Sequence, residues 1–174
     1  MDAWPILTPA PEFTFIDPIS GDAVAYEEKN VLNPAAIVKE GKVHLIYRAQ
    51  DSLMTSRLAL AISEEGIHFE KTGEPIFFPE KDKLFELEWP GGVEDPRIVS
   101  TEDGGYFLTY TAYDGKTARL LSAYSKDLIT FKRYGSVFKD SKYSNIWSKS
   151  GAPIVRQRGE RFVMTKINGY YYMY

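Results

Sequence analysis

No cysteine occurs among the 174 residues, and only two histidines, His44 and His68. The first absence excludes a disulfide-stapled scaffold, a thiolate zinc site and thiol catalysis. The second leaves little for a histidine metal centre or a histidine-based triad. His44 and His68 fall on separate strand-like segments with no partner at metal spacing, so no metal is expected. Positive charge is not in excess either: 21 Lys and Arg against 24 Asp and Glu leave a net charge of −3. A nucleic-acid binder would show a basic stripe. No apolar run approaches the roughly 18 residues of a membrane span. The opening MDAWPILTPAPEF has neither the basic nor the apolar region of a secretory signal. The expectation is a cytoplasmic protein without nucleic-acid or membrane partners. No glycine-rich phosphate loop opens a helix, which removes P-loop and dinucleotide-binding readings.

What is present points to strands. The chain is 44% hydrophobic and 14% aromatic, with 12 Tyr and 10 Phe, a globular composition rich in strand formers. Helical periodicity is almost absent. KVHLIYRAQ, SRLALAIS, GYFLTYTAY, ARLLSAYS and ERFVMTK alternate or run apolar over short lengths. Turn signals at 40–42, 102–105, 113–116 and 158–160 separate them.

The stretches also repeat. NPAAIVKEGKVHLIYRAQD (33–51) resembles DPRIVSTEDGGYFLTYTAYD (95–114), and 56–77 resembles 118–138. Pro34 and Pro96, Leu58 and Leu120, Phe69 and Phe131, and Gly73 and Gly135 are each 62 apart; Tyr47 and Tyr110 are 63 apart. A third copy begins at GAPIVRQRGERFVMTK, 151–166. Four short strands per copy match the content of a propeller blade, which must stack on neighbours to bury its faces. The expected fold is all-β, a β-propeller, with a β-sandwich as the less favoured alternative. The expected division is a lead-in over 1–32, blades over 33–90 and 91–147, and the start of another over 148–174. Two and a half blades would leave a ring open, so the chain reads as the N-terminal part of a longer protein, inactive alone, or as one that closes by association with other copies.

The repeat also places polar residues. Asn33 and Asp95 precede the repeat prolines, where a residue is held extended, and should enter one central pocket from adjacent blades. Ala152 takes that slot in the third copy, with Lys149 and Ser150 just upstream. Glu94 and Asp95 alternate across a strand, so only one of them should face the pocket. Arg48, Asp51 and Asp114 fall at the hairpins after the inner strands, and Arg57 and Arg119 open the next strands. Asp51 and Asp114 read as turn residues or sugar ligands; Arg57 and Arg119 read as ion-pairing or pocket residues. Trp89 and Trp147 read as packing residues or sugar platforms.

The series NPA (33–35), YRA (47–49), SRLALA (56–61), GGVEDPRI (91–98), YTAYDG (110–115) and SKSGA (148–152) resembles glycoside hydrolase family 130, five-bladed propeller enzymes acting on β-mannosides, mostly as inverting phosphorylases. The resemblance implies that Asp95 is the general acid, delivering its proton through a sugar hydroxyl. It implies that Asn33 and Arg48 hold the sugar at the cleaved position, and that Arg57 belongs to the neighbouring subsite. Asp51, Asp114 and Glu94 join them as candidate sugar ligands. Lys149 and Ser150 stand where many members carry an Arg-Asn phosphate pair, with Arg119 as a further candidate; Lys keeps the charge but loses the bidentate fork.

The chemistry leans the same way. An inverting hydrolase needs an acid and a base about 6.5–9.5 Å apart. A phosphorylase needs one acid, and cations to hold its anionic nucleophile. One aspartate with Arg48, Arg57, Arg119 and Lys149 fits phosphorolysis of a β-mannosyl oligosaccharide to α-mannose 1-phosphate, with inorganic phosphate as co-substrate and no other cofactor. The alternatives are an inverting β-mannosidase and a propeller that only binds carbohydrate. Homo-oligomerisation is left open.

Overall fold

The computed structural model describes residues 5–174, and these are all-β apart from one helical turn. A small hairpin, β1 (Phe15–Ile16) and β2 (Ala23–Val24), precedes two four-stranded antiparallel units. The first is β3 (Asn30–Lys39), β4 (Lys42–Gln50), β5 (Ser56–Ser63) and β6 (Glu70–Phe77). A four-residue helix, α1 (Phe85–Glu88), leads to the second: β7 (Gly92–Ser100), β8 (Tyr106–Tyr113), β9 (Ala118–Ser125) and β10 (Phe131–Ser136). A last hairpin, β11 (Val155–Arg158) and β12 (Arg161–Met164), touches β7 in parallel through Val163 and Ser100.

Strand alternation builds the core. On β5, Leu58 and Leu60 enter one cluster while Ala59 and Ala61 enter another on the opposite face; on β4, Ile46 and Tyr47 divide in the same way. This is the two-residue period of a sheet buried on both faces. The larger cluster lies between the units, where the Phe77 ring meets Tyr110 edge-on at 4.8 Å and Phe131 at 5.4 Å. The smaller one packs the alanines of the first unit under Phe15 and Tyr26 of the preceding segment.

Main chain meets main chain between the units at Ser56. Ser56 N–H donates to the Gly91 carbonyl at 2.9 Å, and Ser56 pairs in parallel with Gly92. Gly92 has φ +97, and a Cβ there would collide with the Ser56 backbone, so only glycine fits this approach.

Each unit is also closed by a buried tyrosine–glutamate–cation triad that repeats with the fold. Tyr47 donates to Glu27 at 2.7 Å, and Lys71 pairs with the same carboxylate. Tyr110 donates to Glu88 at 2.8 Å, and Arg133 binds Glu88 at 2.8 Å. Glu27 and Glu88 are both fully buried. Burial pushes the Glu88 carboxyl up to about 7, although Arg133 and Tyr110 pull it down. Its folded value thus lies above the ordinary 4.5, so the folded state holds this proton more tightly than the unfolded chain does. The contribution of Glu88 to stability should therefore fall as pH rises from 4.5 to about 7 and stay lowered above. Urea unfolding across that window should show the slope in the wild type and a flatter one in Glu88→Gln.

Candidate active site

Asn33 and Asp95 enter from the first strand of each unit, but not in extended backbone. Both are left-handed, with φ 43 and φ 50. The registers of β3 and β7 shift at these points, between Leu32 and Ala35 and between Glu94 and Arg97. A bulge inserts an unpaired residue and re-aims its side chain. Asn and Asp are the non-glycine residues that accept the left-handed region most readily. The pre-proline preference for extended backbone is overridden in both units. Such backbone costs about 1–3 kcal/mol per residue and clusters at functional sites. In the third stretch the left-handed residue is Ser150, φ 57, rather than Ala152 in the proline-counted slot.

The bulge has a second consequence. Glu94 and Asp95 do not face opposite ways; both carboxylates meet the same cations. Arg48 Nη2 donates to Glu94 Oε1 at 2.7 Å, and Arg48 Nη1 donates to Asp95 Oδ1 at 3.3 Å. Lys149 Nζ lies 3.4 Å from Glu94 Oε2 and 3.5 Å from Asp95 Oδ2. Asn33 Nδ2 donates to Asp95 Oδ1 at 2.6 Å. Glu94 and Asp95 are buried, while Asn33 and Lys149 are exposed, so the cluster opens to one surface. Burial alone would raise Asp95, but the Asn33 hydrogen bond and the charges of Arg48 and Lys149 outweigh it and hold Asp95 below the ordinary aspartate value.

Ser56 and Gln50 support this cluster, and sequence reasoning missed both. Ser56 Oγ accepts from Arg48 Nε at 3.0 Å and Gln50 Nε2 at 3.1 Å, and lies 3.5 Å from Glu94 Oε1. Asn30 Nδ2 donates in turn to Gln50 at 3.0 Å. The available signal was Ser56 opening β5 one residue before Arg57.

A family model described as beta-1,4-mannooligosaccharide phosphorylase matches residues 9–174. The chain belongs to glycoside hydrolase family 130. A 1,2-beta-oligomannan phosphorylase of Thermoanaerobacter sp. (strain X514) is 38% identical over 125 residues, covering 66% of this chain and 40% of its own length. A solved glycosyl hydrolase from Bacteroides ovatus is 37% identical with a TM-score of 0.93, covering 97% of this chain and 49% of that one. Another structure, 38% identical with a TM-score of 0.94 over 98% of this chain and 50% of its own, comes from work showing that the GH130 family of mannoside phosphorylases contains glycoside hydrolases that target beta-1,2 mannosidic linkages in Candida mannan. The chain spans about two fifths of the curated relative and about half of the solved ones.

Within this family-130 chain the other site candidates lie apart from the carboxylate pair. Arg57 is fully buried: Nη2 donates to Asp17 at 2.6 Å and Nη1 to Asp51 at 2.8 Å. Asp51 also accepts the Thr55 N–H at 2.9 Å. Arg57 is thus engaged in an interior ion-pair network through both terminal nitrogens, with Nε buried and unpartnered, and Asp51 serves the same ion pair and its turn. The second unit repeats the device: Arg119 donates to Asp114 at 2.7 Å, and Asp114 accepts the N–H groups of Lys116 and Thr117. Burial opposes it, but these bonds and the Arg119 charge hold Asp114 below its ordinary value. Trp89 stacks on Phe85, whereas Trp147 is exposed beside Tyr113. Two clefts lie elsewhere on the described residues without holding Asp95. One of about 490 Å³ lies between β6 and β10, and one of about 390 Å³ borders Asn33 and is lined by Ile6, Leu7, Val31, Leu32 and Tyr47. Among the described residues no helix is long and apolar enough to cross a membrane.

Proposed function

We propose that the two four-stranded units are successive blades of a five-bladed propeller, and that Asp95 is the general acid of an inverting β-mannoside phosphorylase. In this reading Asn33 and Arg48 hold the sugar at the bond to be cleaved, and Lys149 with Ser150 receives inorganic phosphate. A phosphate oxygen attacks the anomeric carbon, the bond to the leaving sugar breaks, and the proton of Asp95 reaches the departing oxygen through a sugar hydroxyl. The products are α-mannose 1-phosphate and a shortened oligosaccharide. The observation that carries this reading is the clamp on Asp95 by Asn33, Arg48 and Lys149.

Two features favour phosphorolysis over hydrolysis. Glu94, the neighbouring carboxylate, is bound by Arg48 and Lys149 and is not free to activate a water on the opposite face of the sugar. The exposed ammonium of Lys149 is placed to meet an anion. The resting site also suits a reaction that begins only in the ternary complex. Asp95 is held below its ordinary value in the free protein. A bound sugar excludes water and a phosphate draws Lys149 away, and both changes raise a carboxyl. Asp95 thus takes up its proton when both substrates are present.

The test is incubation of the whole protein with β-mannosyl oligosaccharides, with and without phosphate. Sugar phosphate should form only in its presence. Release of free mannose independent of phosphate would establish the hydrolase reading instead, which the 38% identical structure from the study of family-130 hydrolases favours.

A further inference from the structure

We propose that Glu94 is a positioning residue that governs the proton affinity of Asp95 by dividing Arg48 and Lys149 between the two carboxylates. The inference deepens the reading of Asp95 as general acid and rests on it.

The geometry is unequal sharing. Arg48 approaches Glu94 at 2.7 Å and Asp95 at 3.3 Å, and Lys149 stands at 3.4 and 3.5 Å from the two. The shorter arm of Arg48 belongs to Glu94, and Ser56 fixes that choice by accepting Arg48 Nε at 3.0 Å. Both oxygens of Glu94 are engaged by protein cations, and the residue is 5% exposed. It is poorly placed to grip a sugar itself. The charged groups facing Asp95 are Arg48 from β4, Lys149 from the segment before β11, and Glu94 beside it on β7; Asn33 from β3 is neutral, and Arg97 turns to the Pro96 carbonyl. Glu94 is thus the anion that offsets two cations. Without it both cations fall to Asp95, and an acid gripped by two cations gives up its proton too early.

The test is the pH dependence of kcat at saturating mannoside and phosphate, where the alkaline limb marks loss of the Asp95 proton in the ternary complex. Glu94→Gln should move that limb to lower pH by about one unit, the size of a nearby charge effect, with KM for mannoside changed less than about twofold. Lys149→Gln should move it the other way. If Glu94→Gln does not fold, Glu94→Asp, which withdraws the carboxylate from both cations, should give a smaller shift in the same downward direction. An unmoved limb overturns the inference, and a large rise in KM with the limb in place makes Glu94 a sugar ligand instead. Wild-type turnover without an alkaline limb, or undiminished turnover in Asp95→Asn, overturns the reading of Asp95 itself.

Discussion

Asp95→Asn should lower phosphorolytic turnover by about 10²–10⁴-fold, the range contributed by a positioned general acid, while oligosaccharide binding stays within a few-fold. Asparagine keeps the shape of the side chain and an oxygen for the Asn33 amide, now 2.6 Å from Oδ1. The cations lose half of their counter-charge but keep Glu94, so Arg48 and Lys149 need not leave the site. Calorimetric titration with a manno-oligosaccharide beside a kcat measurement separates the two effects. Loss of binding in step with turnover would make Asp95 a sugar ligand, and full turnover would place the general acid elsewhere.

Arg57→Ala should cost about 3–5 kcal/mol of stability, the scale for removing one partner of a buried ion pair, with turnover per folded molecule unchanged. The guanidinium is 1% exposed, binds Asp17 and Asp51, and lies over the Phe15 ring at 5.1 Å. Its removal strands two carboxylates in the interior between the lead-in hairpin and the first unit. Arg119→Ala should cost much less, because the Arg119–Asp114 pair is partly exposed, at 13% and 19%. Denaturant unfolding of both variants, followed by kinetics on the folded fraction, checks the contrast. A raised KM in Arg57→Ala with unchanged stability would restore the residue to a sugar subsite.

The strands were legible because alternation and turn residues are local signals. SRLALAIS and ARLLSAYS show their two faces in the spelling, and β5 and β9 form over those residues. The repeat alone pairs Asn33 with Asp95, and the structure joins them by a hydrogen bond. The orientation of Glu94 was not legible. Alternation assumes an unbroken strand, and the bulge after Glu94 arises from the pairing of β7 with β8, which no local pattern encodes. The partners of Arg57 were half legible: Asp51 was visible as a turn residue, but Asp17 lies in a segment with no repeat counterpart in the reading. Ser56 and Gln50 matter through hydrogen bonds across strands, and their residue types alone carry no such message.

The tyrosine–glutamate–cation triads bear on where the molecule can be cut. Each unit borrows its sealing carboxylate from the chain that comes before it: Glu27 precedes β3, and Glu88 precedes β7. A boundary drawn at the first strand of a unit, before Asn33 or Gly92, severs that carboxylate from its tyrosine. A segment to be shuffled, duplicated or grafted with its sealing carboxylate therefore begins several residues upstream of the first strand of the unit. Glu27 and Glu88 are 61 residues apart, close to the spacing of the strands themselves. The inheritable module is thus offset from the visible one, and each sheet is finished by its predecessor's tail.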